Sequence, residues 1–66
     1  MRVHLHPQGR TVEVAGRRSV ARLLTELHIL PGTVMVIRGD ELLLDREMVE
    51  DGDDIELRAV ISGGAG

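Results

Sequence analysis

The sequence ends Ser62-Gly63-Gly64-Ala65-Gly66, a run of small residues that could do chemistry only through a carboxyl group. Glycine loses more backbone entropy on ordering than any other residue, so such a run packs only against a partner. It is also slim. Without a Cβ, Gly63 and Gly64 can thread a narrow channel and adopt dihedrals closed to other residues. Two extended residues reach about 7 Å, enough to carry a carboxylate into another protein's active site. A frayed terminus has the same composition, so the rest of the chain decides between the two.

Other chemistry-bearing residues are sparse. His4 and His6 share one face of a strand pattern, and His-x-His can bind metal, but a third ligand is missing and solvated strand histidines are the default. Asp51, Asp53 and Asp54 lack the spacing and terminal Glu of an EF-hand; an Asx-type turn explains them better. Arg38-Gly39-Asp40 reads as a hairpin turn. The glycine-rich end lacks the Lys-Ser/Thr and following helix of a phosphate loop. There is no cysteine, hence no thiol nucleophile, thiolate site or disulfide. No nucleophile–base set or metal cluster is legible, so an enzyme is the least expected class.

Composition narrows the partners. Aromatic residues are absent, which removes base-stacking platforms, and the net charge of −3 disfavours a phosphate backbone as partner. The charge is uneven. Residues 1–37 carry five arginines against Glu13 and Glu26, whereas residues 38–66 carry three arginines against nine acids. Such asymmetry can steer one face onto a charged partner; a solvated acidic turn region explains it equally well. All eight basic residues are arginine, so the chain offers no lysine amine to an activated carboxyl group. No apolar stretch approaches the roughly 20 residues of a membrane span, and Met1-Arg2-Val3-His4 alternates like a strand and not like a leader. The expectation is a cytoplasmic monomer of one domain, burying only about 60% of its unfolded surface.

The elements that position the tail follow from periodicity. Residues 2–6 and 11–15 alternate, with Val3, Leu5, Val12 and Val14 inward, and Pro7-Gln8-Gly9-Arg10 supplies a turn between them. Ser19 can cap a helix whose stripe is Val20, Leu23, Leu24 and Leu27. The helix is expected over residues 20–28, with an Arg22–Glu26 pair and His28 in its last turn, and Pro31-Gly32 stops it. Thr33–Arg38 is a near-continuous apolar run, expected to be buried on much of both faces. Gly39-Asp40 turns it into Glu41–Leu44. Asp45–Val49 is expected to cross irregularly, with Met48 and Val49 under the sheet. The last strand, residues 54–61, points Ile55, Leu57, Ala59 and Ile61 one way and Glu56, Arg58 and Val60 the other. The order β-β-α-β-β-β closes best as an α+β fold with first and last strands parallel in the middle of the sheet and the helix across one face.

That order resembles the β-grasp, or ubiquitin-like, arrangement, with residues 1–61 as the domain and 62–66 as its flexible tail. The stretch from Met48 to Gly64, with Asp51-Gly52-Asp53 about ten residues before Gly63-Gly64, is similar to the end of the prokaryotic sulfur carriers of the ThiS/MoaD type. These include the thiamine-biosynthesis carrier, the small subunit of molybdopterin synthase and the carrier for tRNA 2-thiouridine formation; Val36–Leu43 resembles the last more than the first. The resemblance implies a carrier that is the substrate of an adenylating enzyme and binds no cofactor itself, the ATP being used by that enzyme. It implies adenylation and thiocarboxylation at Gly64, with Gly63 providing access, and delivery to a sulfur-accepting enzyme. Some relatives also join lysines of other proteins. Ala65-Gly66 departs from the pattern, because it locks the Gly64 carbonyl in a peptide bond. Cleavage between Gly64 and Ala65 by a zinc metalloprotease of the deubiquitinase type, direct use of Gly66, and a cloning remnant all fit. Arg58, Val60, Met35 and Ile37 are candidates for docking the activating enzyme; each could equally complete the core or a solvated face. The competing readings are a modifier without a sulfur role, added as single units because the chain lacks lysine, and a binding subunit whose tail enters a partner enzyme.

Overall fold

The computed structural model describes residues 1–60. Its elements in order are β1 (Arg2–His6), β2 (Arg10–Glu13), β3 (Arg18–Ser19), α1 (Val20–Glu26), β4 (Val34–Arg38), β5 (Glu41–Leu43), β6 (Met48–Val49) and β7 (Asp54–Ala59). Five strands form one mixed sheet in the order β2-β1-β7-β4-β5. β1 and β7 run parallel in its interior; the other pairs are antiparallel. The expected α+β, β-grasp closure is what forms, because only a crossover through α1 lets the first and last strands pair side by side.

The helix face of the sheet holds the core. Val3, Val36, Leu43, Ile55 and Leu57 point there from the strands and meet Val20, Leu23 and Leu24 of α1. Ser19 caps the helix as expected, its Oγ accepting the Arg22 N–H at 3.1 Å. Two further N–H groups of the first turn are satisfied by the chain before β6: Val20 donates to the Glu47 carbonyl at 2.8 Å and Ala21 to the Asp45 carbonyl at 3.0 Å. Glu26 pairs with Arg22 at 3.1 Å and with Arg18.

Four sequence expectations are corrected. The helix ends at Glu26, two residues early, and His28 lies outside it at φ 60°. The His28 N–H bonds to the Thr25 carbonyl at 3.1 Å and the Ile29 N–H to the Leu24 carbonyl at 2.9 Å. This is a Schellman end, in which a left-handed residue lets its own amide and the next close on the last turn. Leu27 still packs on the core. Met48–Val49 is not irregular but pairs with Arg18–Ser19, and Val49 is fully buried. β4 is buried on one face only: Val36 lies in the core, whereas Met35 is 40% exposed. One helix cannot cover both faces of a five-stranded sheet. Ala59 also lies exposed, because α1 stops short of the end of β7.

The acidic turn before β7 is structural. Asp51 accepts the Gly16 N–H at 2.7 Å, tying the turn to the loop before β3. Asp53 accepts the Glu50 N–H at 2.9 Å and an Arg38 Nη1–H at 3.1 Å, and Arg38 also donates to the Met48 carbonyl. Gly52 supplies the positive φ, 89°, that the turn requires.

Candidate functional site: the end of the central strand and the face beside it

The tail residues Gly63, Gly64 and Ala65 lie outside the described residues, as does Ile61. What the structure places is their root. β7 is held on both sides, by β1 and by β4, up to Arg58, and Ala59 is paired to β4 alone. One further rung follows, from the Val60 N–H to the Thr33 carbonyl at 3.0 Å. The strand that delivers the tail is therefore among the best anchored in the domain. From Val60, four extended residues carry Gly64 at most about 14 Å further.

The open face of the sheet, opposite α1, brings the docking candidates together. Arg58 lies between His6 and Met35, and Glu56 between His4 and Ile37. Val60, two positions beyond Arg58, is 41% exposed. Alternation along β7 and β4 thus sets Arg58, Met35 and Ile37 on one face, with Val60 at the edge nearest the tail. Arg58 is tied to its strand neighbour, its Nη2–H donating to Glu56 Oε1 at 3.0 Å.

Leu42, not singled out from the sequence, belongs to the same patch. It pairs with Ile37 on β5 and is 56% exposed, while Leu43 turns into the core. Leu44 follows on the exposed side. Three consecutive leucines hide their alternation; only the hairpin register at Arg38↔Glu41 reveals which of them faces out. The result is an apolar half-face of Met35, Ile37, Leu42 and Val60. Met35, Leu42 and Val60 are the exposed members of this half-face, and Ile37 is half-buried between them.

The other half of the face is polar. His4 is bridged between Thr11 Oγ1 and Asp54 Oδ1, each at 3.1 Å, and His6 stands 3.6 Å from Glu56. Arg2 pairs with Glu13 at 3.3 Å. The histidines thus serve cross-strand pairs. Among the described residues, no three His, Asp or Glu side chains are placed to share one ion. On the helix side of the same strand end, Leu5, Ile29, Leu30, Val34 and Leu57 line a cleft of about 380 Å³ left uncovered by the short helix.

Three groups titrate away from their ordinary range. Hydrogen bonds from Arg18 and then Arg22 hold the Glu26 carboxyl low. The Glu50 N–H, and after it Arg38, hold Asp53 low. The bond to Asp53 raises Arg38. All three lie in ion pairs that support the fold, away from the tail root. Among the described residues no helix is long and apolar enough to cross a membrane.

Comparison with known proteins agrees with this geometry. No family model matches the chain. It is 43% identical over 65 residues to the sulfur carrier protein TtuB of Thermus thermophilus, covering 97% of this chain and all of that one. Its fold matches the crystal structure of the thiamine biosynthesis protein ThiS from Geobacter metallireducens, with a TM-score of 0.64 and 28% identity over 97% of this chain and all of the other. The solution structure of a thiamine biosynthesis protein from the same organism matches with a TM-score of 0.59 and 27% identity, over all of this chain and 90% of the other. A sheet that anchors its last strand, a diglycine beyond it, and end-to-end similarity to a sulfur carrier place the chain in the ThiS/MoaD-type, ubiquitin-like sulfur-carrier family, as a carrier and not an enzyme.

Proposed function

We propose that the chain carries sulfur as a thiocarboxylate on Gly64, after removal of Ala65-Gly66. A carboxylate is a poor electrophile. Attack of its oxygen on the α-phosphorus of ATP, in the partner activating enzyme, would release pyrophosphate and leave a mixed anhydride with AMP. Hydrosulfide would then displace AMP and lose its proton to solvent, giving the thiocarboxylate, which a sulfur-accepting enzyme consumes. The domain contributes binding and reach, and the chemistry belongs to the partners. ATP-dependent activation fits a cytoplasmic setting. The observation that carries this reading is the diglycine directly beyond β7 in a chain 43% identical to a sulfur carrier.

The activating enzyme docks on the open face, at Arg58, Val60, Met35 and Ile37, with Leu42 beside them. Any enzyme holding Gly64 must sit within about 17 Å of Ala59, and this patch is within that radius. Cleavage at Gly64–Ala65 falls to a zinc metalloprotease of the deubiquitinase type, since the extension otherwise blocks the reactive carboxyl. The acceptor is of the tRNA-thiolation type. The stretch Val36–Leu43 supports that choice over the thiamine or molybdopterin types. Lysines of other proteins are further acceptors of the activated carboxyl.

The test is the intact mass of the protein recovered from its own cells. Loss of one alanine and one glycine residue, with oxygen replaced by sulfur, is the expected result. A full-length chain thiocarboxylated at Gly66 would overturn the processing step. An unshortened, unmodified mass across growth conditions would overturn the carrier reading itself.

A further inference from the structure

We propose that this chain is an obligate acyl donor: once its C-terminal carboxyl is activated, no amine of its own can capture it. The inference rests on the reading of the C-terminus as an activated carboxyl, and it adds what such a carboxyl can and cannot meet on its own domain. Capture by an amine forms an amide and breaks the bond to the leaving group. The nitrogen must present a free lone pair and shed a proton to the solvent.

The sequence holds no lysine among its 66 residues, and all eight basic side chains are arginine. A guanidinium stays protonated and has no such lone pair. Arg18 and Arg38 each use more than one guanidinium nitrogen at once, but two exposed ion pairs do not demand this choice. Arg2 meets Glu13, and Arg17 meets Glu50, through Nε alone and on exposed surface, where a lysine ammonium would serve as well. Histidines give no stable product, because an acyl-imidazole is itself an activated acyl group.

The remaining amine in the chain is that of Met1, and the fold shelters it. It donates to the Val14 carbonyl at 2.6 Å, while the Val14 N–H donates to the Met1 carbonyl at 2.9 Å. These two bonds extend the β1–β2 ladder by one rung, and Met1 is 8% exposed. The amine's positive charge is also felt by the Asp53 carboxylate. An acyl group arriving at this nitrogen must fit beside that rung at the end of the sheet.

Geometry separates the two ends as well. β1 and β7 are parallel with Arg2 beside Asp54, so the amine lies at the start of β7 and the tail leaves at its finish. Six residues of strand put about 20 Å between them. The five residues from Ala59 to Gly64 span at most about 17 Å, so a carboxyl on Gly64 falls short of its own amine.

The test needs no partner enzyme. The 66-residue chain is prepared with a thioester on Gly66, the more permissive case because two extra residues lengthen the reach. It is held at pH 9 and followed by intact mass. The folded chain is expected to lose its thiol by hydrolysis alone, with neither covalent dimer nor ring. Added free amine is expected to give the amide, which shows that the electrophile is competent. An Arg10→Lys variant, with its amine on the exposed start of β2, is expected to form dimers at least tenfold faster than the parent chain. In urea the parent is expected to form rings or dimers at least tenfold faster than when folded. Dimers or rings from the folded parent at the rate of Arg10→Lys, or of the unfolded chain, would overturn the proposal. Failure of the carrier reading would show instead as an absent thiocarboxylate in cells and would leave these rates unchanged.

Discussion

Replacing His28 with glycine should stabilise this protein. His28 sits at φ 60°, the left-handed region, as the residue that closes the helix end. For a residue with a Cβ that conformation costs about 1–2 kcal/mol. The imidazole offsets little of it, since the side chain is exposed. Glycine removes the steric cost but adds freedom to the unfolded chain, which takes back about 0.4–1 kcal/mol. The net expectation is a gain of about 0.5–1 kcal/mol. In a domain of this size 1 kcal/mol moves Tm by about 4–8 °C, so a rise of several degrees should be visible by calorimetry or circular dichroism. His28→Ala is the control. It removes the imidazole but keeps the Cβ, and should change Tm by less than about 2 °C. If the glycine variant melts at or below the parent, or if alanine stabilises equally, the backbone account of this helix end is wrong.

Three further outcomes can be checked with the same material. Asp53→Ala leaves the Glu50 N–H and Arg38 without their shared acceptor and should cost about 1–2 kcal/mol in urea unfolding; an unchanged midpoint would refute the role of the turn. Asp53 and Glu26 both have lowered folded-state pKa values. The unfolded chain therefore binds protons first as pH falls, and their contribution, complete above the ordinary carboxylate range near pH 4, is lost progressively below it. Urea midpoints measured from pH 6 to pH 2 should fall in that lower window, and Asp53→Asn should flatten the fall. Met35→Asp and Leu42→Asp lie on the open face and should shift stability by no more than about 0.5 kcal/mol. In the form ending at Gly64 they should slow activating-enzyme-dependent ATP–pyrophosphate exchange at least tenfold; wild-type exchange rates in both would remove this face from the docking surface.

Much of the fold was legible because its signals are local. The alternation of Val3, Leu5, Val12 and Val14, the Ser19 cap, and the Val20-Leu23-Leu24 stripe each constrain a few neighbouring residues, and all three hold in the structure. The misreadings arose where a distant partner overrides local preference. The helix end could not be placed from sequence, because histidine is a poor left-handed residue and only the packing of Ile29 and Leu27 on the core makes it take that conformation. Met48–Val49 has no strand-length pattern, and two residues become a strand only because Arg18–Ser19 lies opposite. Among the docking candidates, alternation along the last strand singles out Arg58 and Val60, whereas the apolar run holding Met35 and Ile37 does not show which of its residues face outward. Leu42 was hidden within three leucines.

The sequence by itself determined the chemistry: a diglycine beyond a strand, no thiol, no lysine, and no catalytic set to suggest an enzyme. Those are properties of residue type and order, which folding does not alter. Tertiary structure decided accessibility. Pairing β7 between β1 and β4 anchors the root of the tail, and leaving one sheet face without a helix turns Met35 and Leu42 into surface. It also ties the amine of Met1 into the sheet at the opposite end from the root of the tail, because parallel strands separate the start of one from the finish of the other.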